Sequence, residues 1–171
     1  MGGAAGPDPP RAGRERTSCR RTERETGRQR RPRPCDPRPG AAGAVGRWQI
    51  RSADDLPLLR QATLAVALRA GVGGSGLDPV HSRLALVATE LATNALKYGT
   101  GPCVVSIFRA GSGWLLDVGD GSPDSPPVRY PPEPGRPGRN GLLIIEQLST
   151  RWGWYPAQDG ARKHVWAELA D

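Results

Sequence analysis

Glu90, Asn94 and Lys97 lie within the segment ELATNALKYG, separated by four and then three residues. At about 100° per residue, steps of four and seven return to within about 40° of the starting direction, so on a helix the three groups share one edge. A carboxylate can orient or deprotonate a nucleophile, an amide oxygen can ligate a hard cation, and an ammonium can neutralise phosphate. Together they suit a nucleotide and its metal. An ordinary solvated edge of an amphipathic helix carries similar residues, so the function of this edge depends on what the rest of the chain sets against it.

The helix that must carry the three groups has clear limits. Asp78 reads as its cap, Pro79 as its first position and Gly99 as its stop. Val80, Leu84, Val87, Leu91 and Ala95 form its buried stripe, widened by Leu86 and Leu96. His81, near its start, reads as a surface residue, with a phosphoacceptor role the less common alternative. Upstream, GRWQIR reads as an edge strand with Trp48 and Ile50 inward. A helix then begins at Ser52 as N-cap, with Pro57 in its first turns and Leu58, Leu59, Leu64, Val66 and Leu68 as its stripe. The run GVGGSG at 71–76 follows a helix and lacks a following Lys-Ser or Lys-Thr, so it does not read as a phosphate loop.

Downstream, CVVSIFRA and WLLDVGD flank the turn AGSG and predict a hairpin. The segment GSPDSPPVRYPPEPGRPGRN is too rich in Pro and Gly for regular structure, and loops of that length in a compact domain serve as lids or binding loops. GLLIIEQL then predicts a short helix. RWGWYP, a turn at AQDGA and KHVWAEL predict a closing hairpin, with Trp152, Trp154 and Trp166 as sheet core. The order predicts an α+β fold, a two-layer α/β sandwich with a mixed, mostly antiparallel sheet and helices on one face.

The charge is unevenly spread. Residues 1–47 hold 12 of the 24 basic and 5 of the 17 acidic residues, so this segment alone accounts for the net charge of +7. The remainder is neutral and has no electrostatic footprint for nucleic acid. Residues 1–45 form an Arg-, Pro- and Gly-rich tail with almost no large apolar side chains, which predicts disorder. It reads either as a grip for RNA, DNA or an acidic membrane surface, or as a functionless extension. No apolar h-region follows the early charges and no apolar run approaches the roughly 20 residues of a membrane span, so a cytoplasmic protein is expected. Cys19, Cys35 and Cys103 include no CxxC pair and imply neither a metal site nor a disulfide framework.

ELATNALKYG, DVGDGSP, GRNGLLIIEQL and GARKHVWAEL, in this order, resemble the four nucleotide-binding boxes of the GHKL or Bergerat-fold ATPases. The nearest branch is the stand-alone histidine-kinase-like ATP-binding proteins similar to the anti-sigma-factor serine/threonine kinases of actinobacteria. The resemblance covers about residues 46–170, within a folded domain at 46–171. It implies ATP and Mg2+ as ligands, Glu90 as the catalytic general base, Asn94 as the magnesium ligand and Lys97 as a phosphate contact. Asp120 is the residue it implies for the adenine amino group. Asp117 matches the family string DxGxG literally, but it points to the other sheet face and reads as a solvent-facing strand residue. Gly138, Gly141 and Leu142 are implied at the phosphates, although GRNGL carries one residue more than the usual GRGL. Ser122 stands where many relatives have a glycine. Lys163 and His164 fall near a Lys and a small hydroxyl residue of the last box. The implied partner is a protein, an anti-sigma antagonist or a sigma factor, with homodimer formation left open. Two functions follow: a kinase that phosphorylates a partner regulator using Mg-ATP, or a nucleotide-responsive binding module without phosphoryl transfer.

Overall fold

The computed structural model describes residues 43–70, 79–128 and 140–171. The tail as far as residue 42, the glycine run at 71–76, Asp78 and the middle of the long loop, 129–139, with Gly138, lie outside the described residues. The elements are β1 (Gly46–Ile50), a 3-10 turn (Ala53–Asp55), α1 (Leu56–Arg69) and α2 (Pro79–Tyr98). β2 (Cys103–Ala110), β3 (Gly113–Asp120), α3 (Gly141–Leu148), β4 (Arg151–Pro156) and β5 (Lys163–Leu169) follow. Among the described residues the strands form one five-stranded sheet in the order β1-β2-β3-β5-β4. All four pairings are antiparallel, so the parallel component of a mixed sheet is absent from these strands. The fold is of the α+β class, a two-layer sandwich with α2 packed on β2, β3 and β5 and α1 laid against α2.

Local chemistry accounts for the element ends. Ser52 Oγ accepts from the Asp54 amide at 3.3 Å, while Asp55 Oδ2 accepts from the Arg51 and Ser52 amides at 2.7 and 3.1 Å. Those two backbone bonds hold the Asp55 carboxyl below its ordinary range. Gly111 supplies the positive φ of 61° that the two-residue β2–β3 loop needs. Beside the same turn, the Arg109 guanidinium lies 4.6 Å from the centre of the Trp114 ring and 3.3 Å from Asp171 Oδ2.

One sheet face carries Val105, Ile107, Leu116, Val118, Ala167 and Leu169, which join the helices in a single core. Trp48 and Ile50 point into it as expected. α1 differs from its predicted stripe: Leu59, Thr63, Val66 and Ala67 are buried, whereas Leu58 and Leu68 are 65% and 52% exposed. The buried set repeats at four, seven and eight residues, and Leu68, nine residues from Leu59, falls on the opposite side of the helix. His81 is also corrected. It is buried, with neither ring nitrogen hydrogen-bonded, because α2 packs against both α1 and the sheet and buries Ala85, Ala88 and Ala92 on the same side.

These two leucines give a direct test of the α1 face. Leu59→Ala should cost about 2–5 kcal/mol through the cavity it leaves, and Leu58→Ala less than about 0.5 kcal/mol, both read by urea denaturation.

Candidate functional site

The Glu90–Asn94–Lys97 edge of α2 faces the start of α3 at Glu90 and Asn94. A Cβ built on Gly141 would lie 2.8 Å from Glu90 Oε2 and 3.2 Å from both polar atoms of the Asn94 amide. Only a residue without a side chain lets the chain enter α3 this close to the polar edge of α2. Asn94 Nδ2 is buried without a hydrogen-bond partner. Glu90, half-buried, makes no hydrogen bond or ion pair among the described residues. The first amides of α3 have no intrahelical acceptor and carry the positive end of the helix dipole.

Behind this edge lies a cavity of about 260 Å³. Asn94, Asp120, Gly141 and Leu142 line it together. Leu91, Val118 and Val165 supply apolar wall, and the start of the long loop, Ser125–Val128, closes one side. The volume is close to the lower end of the roughly 300–1,000 Å³ usual for ligand pockets, enough for a flat heterocycle with its polar substituents outside. Lys97, exposed at the end of α2, is not among the lining residues. The lid reading applies to the described part of the loop only as cavity wall.

Asp120 occupies the floor, 1% exposed at the end of β3. Its Oδ1 accepts from the Ser122 amide at 2.9 Å, and its Oδ2 lies 3.3 Å from Lys163 Nζ. Lys163, directly opposite in the β3–β5 pairing, is itself 4% exposed and donates to the Ser125 carbonyl at 2.7 Å. Sequence reasoning placed Lys163 only near a family position and gave it no role. Its burial follows from a pairing between strands 43 residues apart, which neither periodicity nor local turn chemistry encodes. Gly99 backs the same carboxylate: a Cβ there would sit 2.6 Å from Asp120 Cγ and 2.5 Å from the Ala95 carbonyl oxygen. Gly99 ends α2 by donating to Ala95 O at 2.8 Å, without a left-handed conformation. Ser122, in the place of the expected glycine, donates its amide to Asp120 and its hydroxyl to Thr100 Oγ1 at 3.3 Å. Cys103, buried beside this row, has its thiol pushed up to about 11 by burial, with the Asp120 charge adding to it, and stays protonated near neutral pH.

Asp117 lies on the opposite face, as its position three residues before Asp120 requires. It is not simply solvated. Its Oδ2 lies 2.8 Å from His164 Nδ1, and its Oδ1 accepts from the Tyr155 hydroxyl at 3.3 Å. Tyr155 and His164 stack with centroids 4.8 Å apart. Burial pulls the His164 pKa down, but the hydrogen bond and charge of Asp117 outweigh it and leave the group raised above 6.5.

Among the described residues no group of three His, Cys, Asp or Glu side chains could hold a metal ion, and no helix is long and apolar enough to cross a membrane. Comparison with protein-family models and with curated proteins returns no match to this chain.

Two measurements follow from this geometry. Gly99→Ala should lower stability by about 1–3 kcal/mol, because the added methyl meets backbone and a buried carboxylate together. Gly43→Ala, with nothing within 4 Å, should change stability by less than about 0.5 kcal/mol. For the outer face, a raised folded pKa means that the His164–Asp117 interaction stabilises fully below the unfolded histidine pKa and fades as pH rises through the folded value. The stability gap between the natural chain and His164→Gln should therefore be larger at about pH 5.5 than at about pH 9, and an equal gap at both would reject the pairing.

Proposed function

We propose that the chain is an ATP-binding regulatory protein of the GHKL or Bergerat type. In this reading it is an anti-sigma-factor-type serine/threonine kinase that phosphorylates a partner regulator in the cytoplasm. The observation that carries the reading is the convergence of Asn94, Asp120, Gly141 and Leu142 on one cavity, with Glu90 next to Gly141 just outside the lining. Each group has a physical task. Asp120, a buried acceptor on the floor, suits the 6-amino group of adenine, between apolar walls that suit its faces. The free amides at the start of α3 suit phosphate oxygens. Glu90 is poised to orient or deprotonate an incoming hydroxyl. Lys97, exposed at the last turn of α2, is within the same edge and can screen phosphate charge.

The Asn94 amide fits magnesium, which binds through few protein atoms and takes its remaining oxygens from phosphate and water. When bound, the ion neutralises charge developing on the transferring phosphoryl group. This chain's own contribution is positional: Gly141 keeps the α3 amides against Asn94, and the Asp120 floor sets the depth of the base. The partner expected on the resemblance is a protein, an anti-sigma antagonist or a sigma factor.

A second reading has its own support. Glu90 is not among the cavity-lining residues, and no described side chain orients it. This favours a module that binds nucleotide to change a partner surface without transferring phosphate.

Titration calorimetry of the chain with Mg-ATP and Mg-ADP should give saturable binding that Asp120→Asn abolishes and Asp117→Asn leaves within about threefold, a margin of under 1 kcal/mol. The reverse pattern would move the base to the other face, and no binding by the natural chain would overturn the nucleotide reading. Labelled ATP with candidate antagonist proteins separates the two functions. Transfer lost in Glu90→Ala with binding retained identifies the kinase; binding without transfer in either form identifies the module.

A further inference from the structure

Lys163 is one of two lysines in the chain, and the buried one. A buried ammonium is costly, and a buried ion pair is commonly replaceable by apolar residues without loss of stability. Stability alone is therefore a weak reason for an ammonium at this position. Its coordination is also incomplete. Nζ carries three donors; one goes to Ser125 O at 2.7 Å and one faces Asp120 Oδ2 at 3.3 Å, and no other partner exists among the described residues. Both side chains line the cavity. The floor therefore presents an acceptor and a donor side by side, in an otherwise apolar setting of Leu91, Val118 and Val165.

This pattern has a chemical complement. The pairing edge of adenine offers one donor, the 6-amino group, next to one acceptor, ring nitrogen N1. Guanine reverses this order, with its O6 acceptor where adenine carries the amino donor and its N1–H donor where adenine accepts, so it matches only with the acceptor and donor of the floor exchanged. We propose that Lys163 is a base-reading residue: its remaining N–H donates to N1 of adenine while Asp120 accepts from the 6-amino group, so that the ion pair reads the base directly. This rests on the nucleotide reading and adds to it a second recognition residue on β5.

Calorimetry with three probes on the natural chain tests it: ATP, 1-deaza-ATP, which lacks only the N1 acceptor, and 7-deaza-ATP, which lacks a nitrogen remote from that edge. A hydrogen bond from a charged donor predicts about 10- to 100-fold weaker binding of 1-deaza-ATP, with 7-deaza-ATP close to ATP. In Lys163→Met the preference for ATP over 1-deaza-ATP should vanish. Binding of 1-deaza-ATP within about threefold of ATP, about 0.7 kcal/mol, overturns the proposal while leaving the nucleotide reading intact. So does a preference that persists in Lys163→Met. Failure of the natural chain to bind any of the three overturns both. Should Lys163→Met not fold, ¹⁵N-lysine labelling of the natural chain decides instead, since only Lys97 and Lys163 contribute signals. The Lys163 ammonium should shift with ATP and not with 1-deaza-ATP, and equal shifts with both overturn the assignment.

Discussion

The Asp120 carboxylate and the Lys163 ammonium, 2% and 5% exposed as side chains, face each other across the β3–β5 pairing. Two charges taken from water each lose several kcal/mol of hydration, and their mutual attraction compensates only when the remaining lone pairs and protons also find partners. Here those partners come from the loop after β3: the Ser122 amide on Asp120 and the Ser125 carbonyl on Lys163. The loop is thus held down by the charges it satisfies. Removing either charge leaves the other uncompensated, at a cost of about 3–5 kcal/mol, and releases one side of the cavity wall.

Close backbone approach is the second constraint, and it follows from the first. A charge pair at a strand end can be sealed from water only if neighbouring backbone comes nearer than a side chain allows. Gly99 closes over Asp120, and Gly121 closes on Thr100, where a Cβ would meet the carbonyl oxygen at 2.7 Å. Thr100 answers by donating its hydroxyl to Gly121 O at 2.6 Å while accepting the Gly121 amide on its own carbonyl at 3.0 Å. The end of α2 is thereby stitched to the end of β3. Gly141 repeats the principle on the other wall, where α3 meets Glu90 and Asn94. The Glu90 and Asn94 part of the α2 edge is thereby half-buried against the start of α3, while Lys97 at the helix end stays exposed.

The parts of this arrangement legible in the sequence are those encoded locally. The α2 stripe, the β2–β3 hairpin, the α3 helix and the closing hairpin are written in periods of 3.6 and 2 with turn residues between them. The strand alternation alone separated Asp117 from Asp120. Lys163 was not legible because its partner is set by a non-local pairing, and a charged residue in a terminal strand reads as surface. His81 failed for a related reason: the apolar stripe of α2 was drawn for one buried face, whereas contact with both α1 and the sheet buries a wider arc. Leu58 and Leu68 show the converse, apolar residues counted into a stripe whose geometry excludes them. In the α3 entry, Gly141 could be named from its box, but its contact with Glu90 and Asn94 required the two helices in place.

Lys163 and His164 are neighbours in sequence and opposites in environment, since alternate strand residues face opposite sides of the sheet. Asp120 and Asp117, three apart, divide in the same way, so each carboxylate meets its own cationic partner: the Lys163 ammonium on the cavity side and the His164 imidazole on the outer side. A slip of one residue in β5 would exchange them. The cavity floor would then hold the His164 imidazole, and the Lys163 ammonium would go to the outer face beside Tyr155. The register that prevents this is fixed by the β4–β5 turn, where Gly160 takes a φ of 65° and the Ala157 amide donates to Arg162 O at 2.8 Å. Asp159 Oδ1 accepts from the Ala161 amide at 2.9 Å and tightens the same turn. A surface turn remote from α2, together with the β3–β5 pairing, thus sets which cation stands against Asp120.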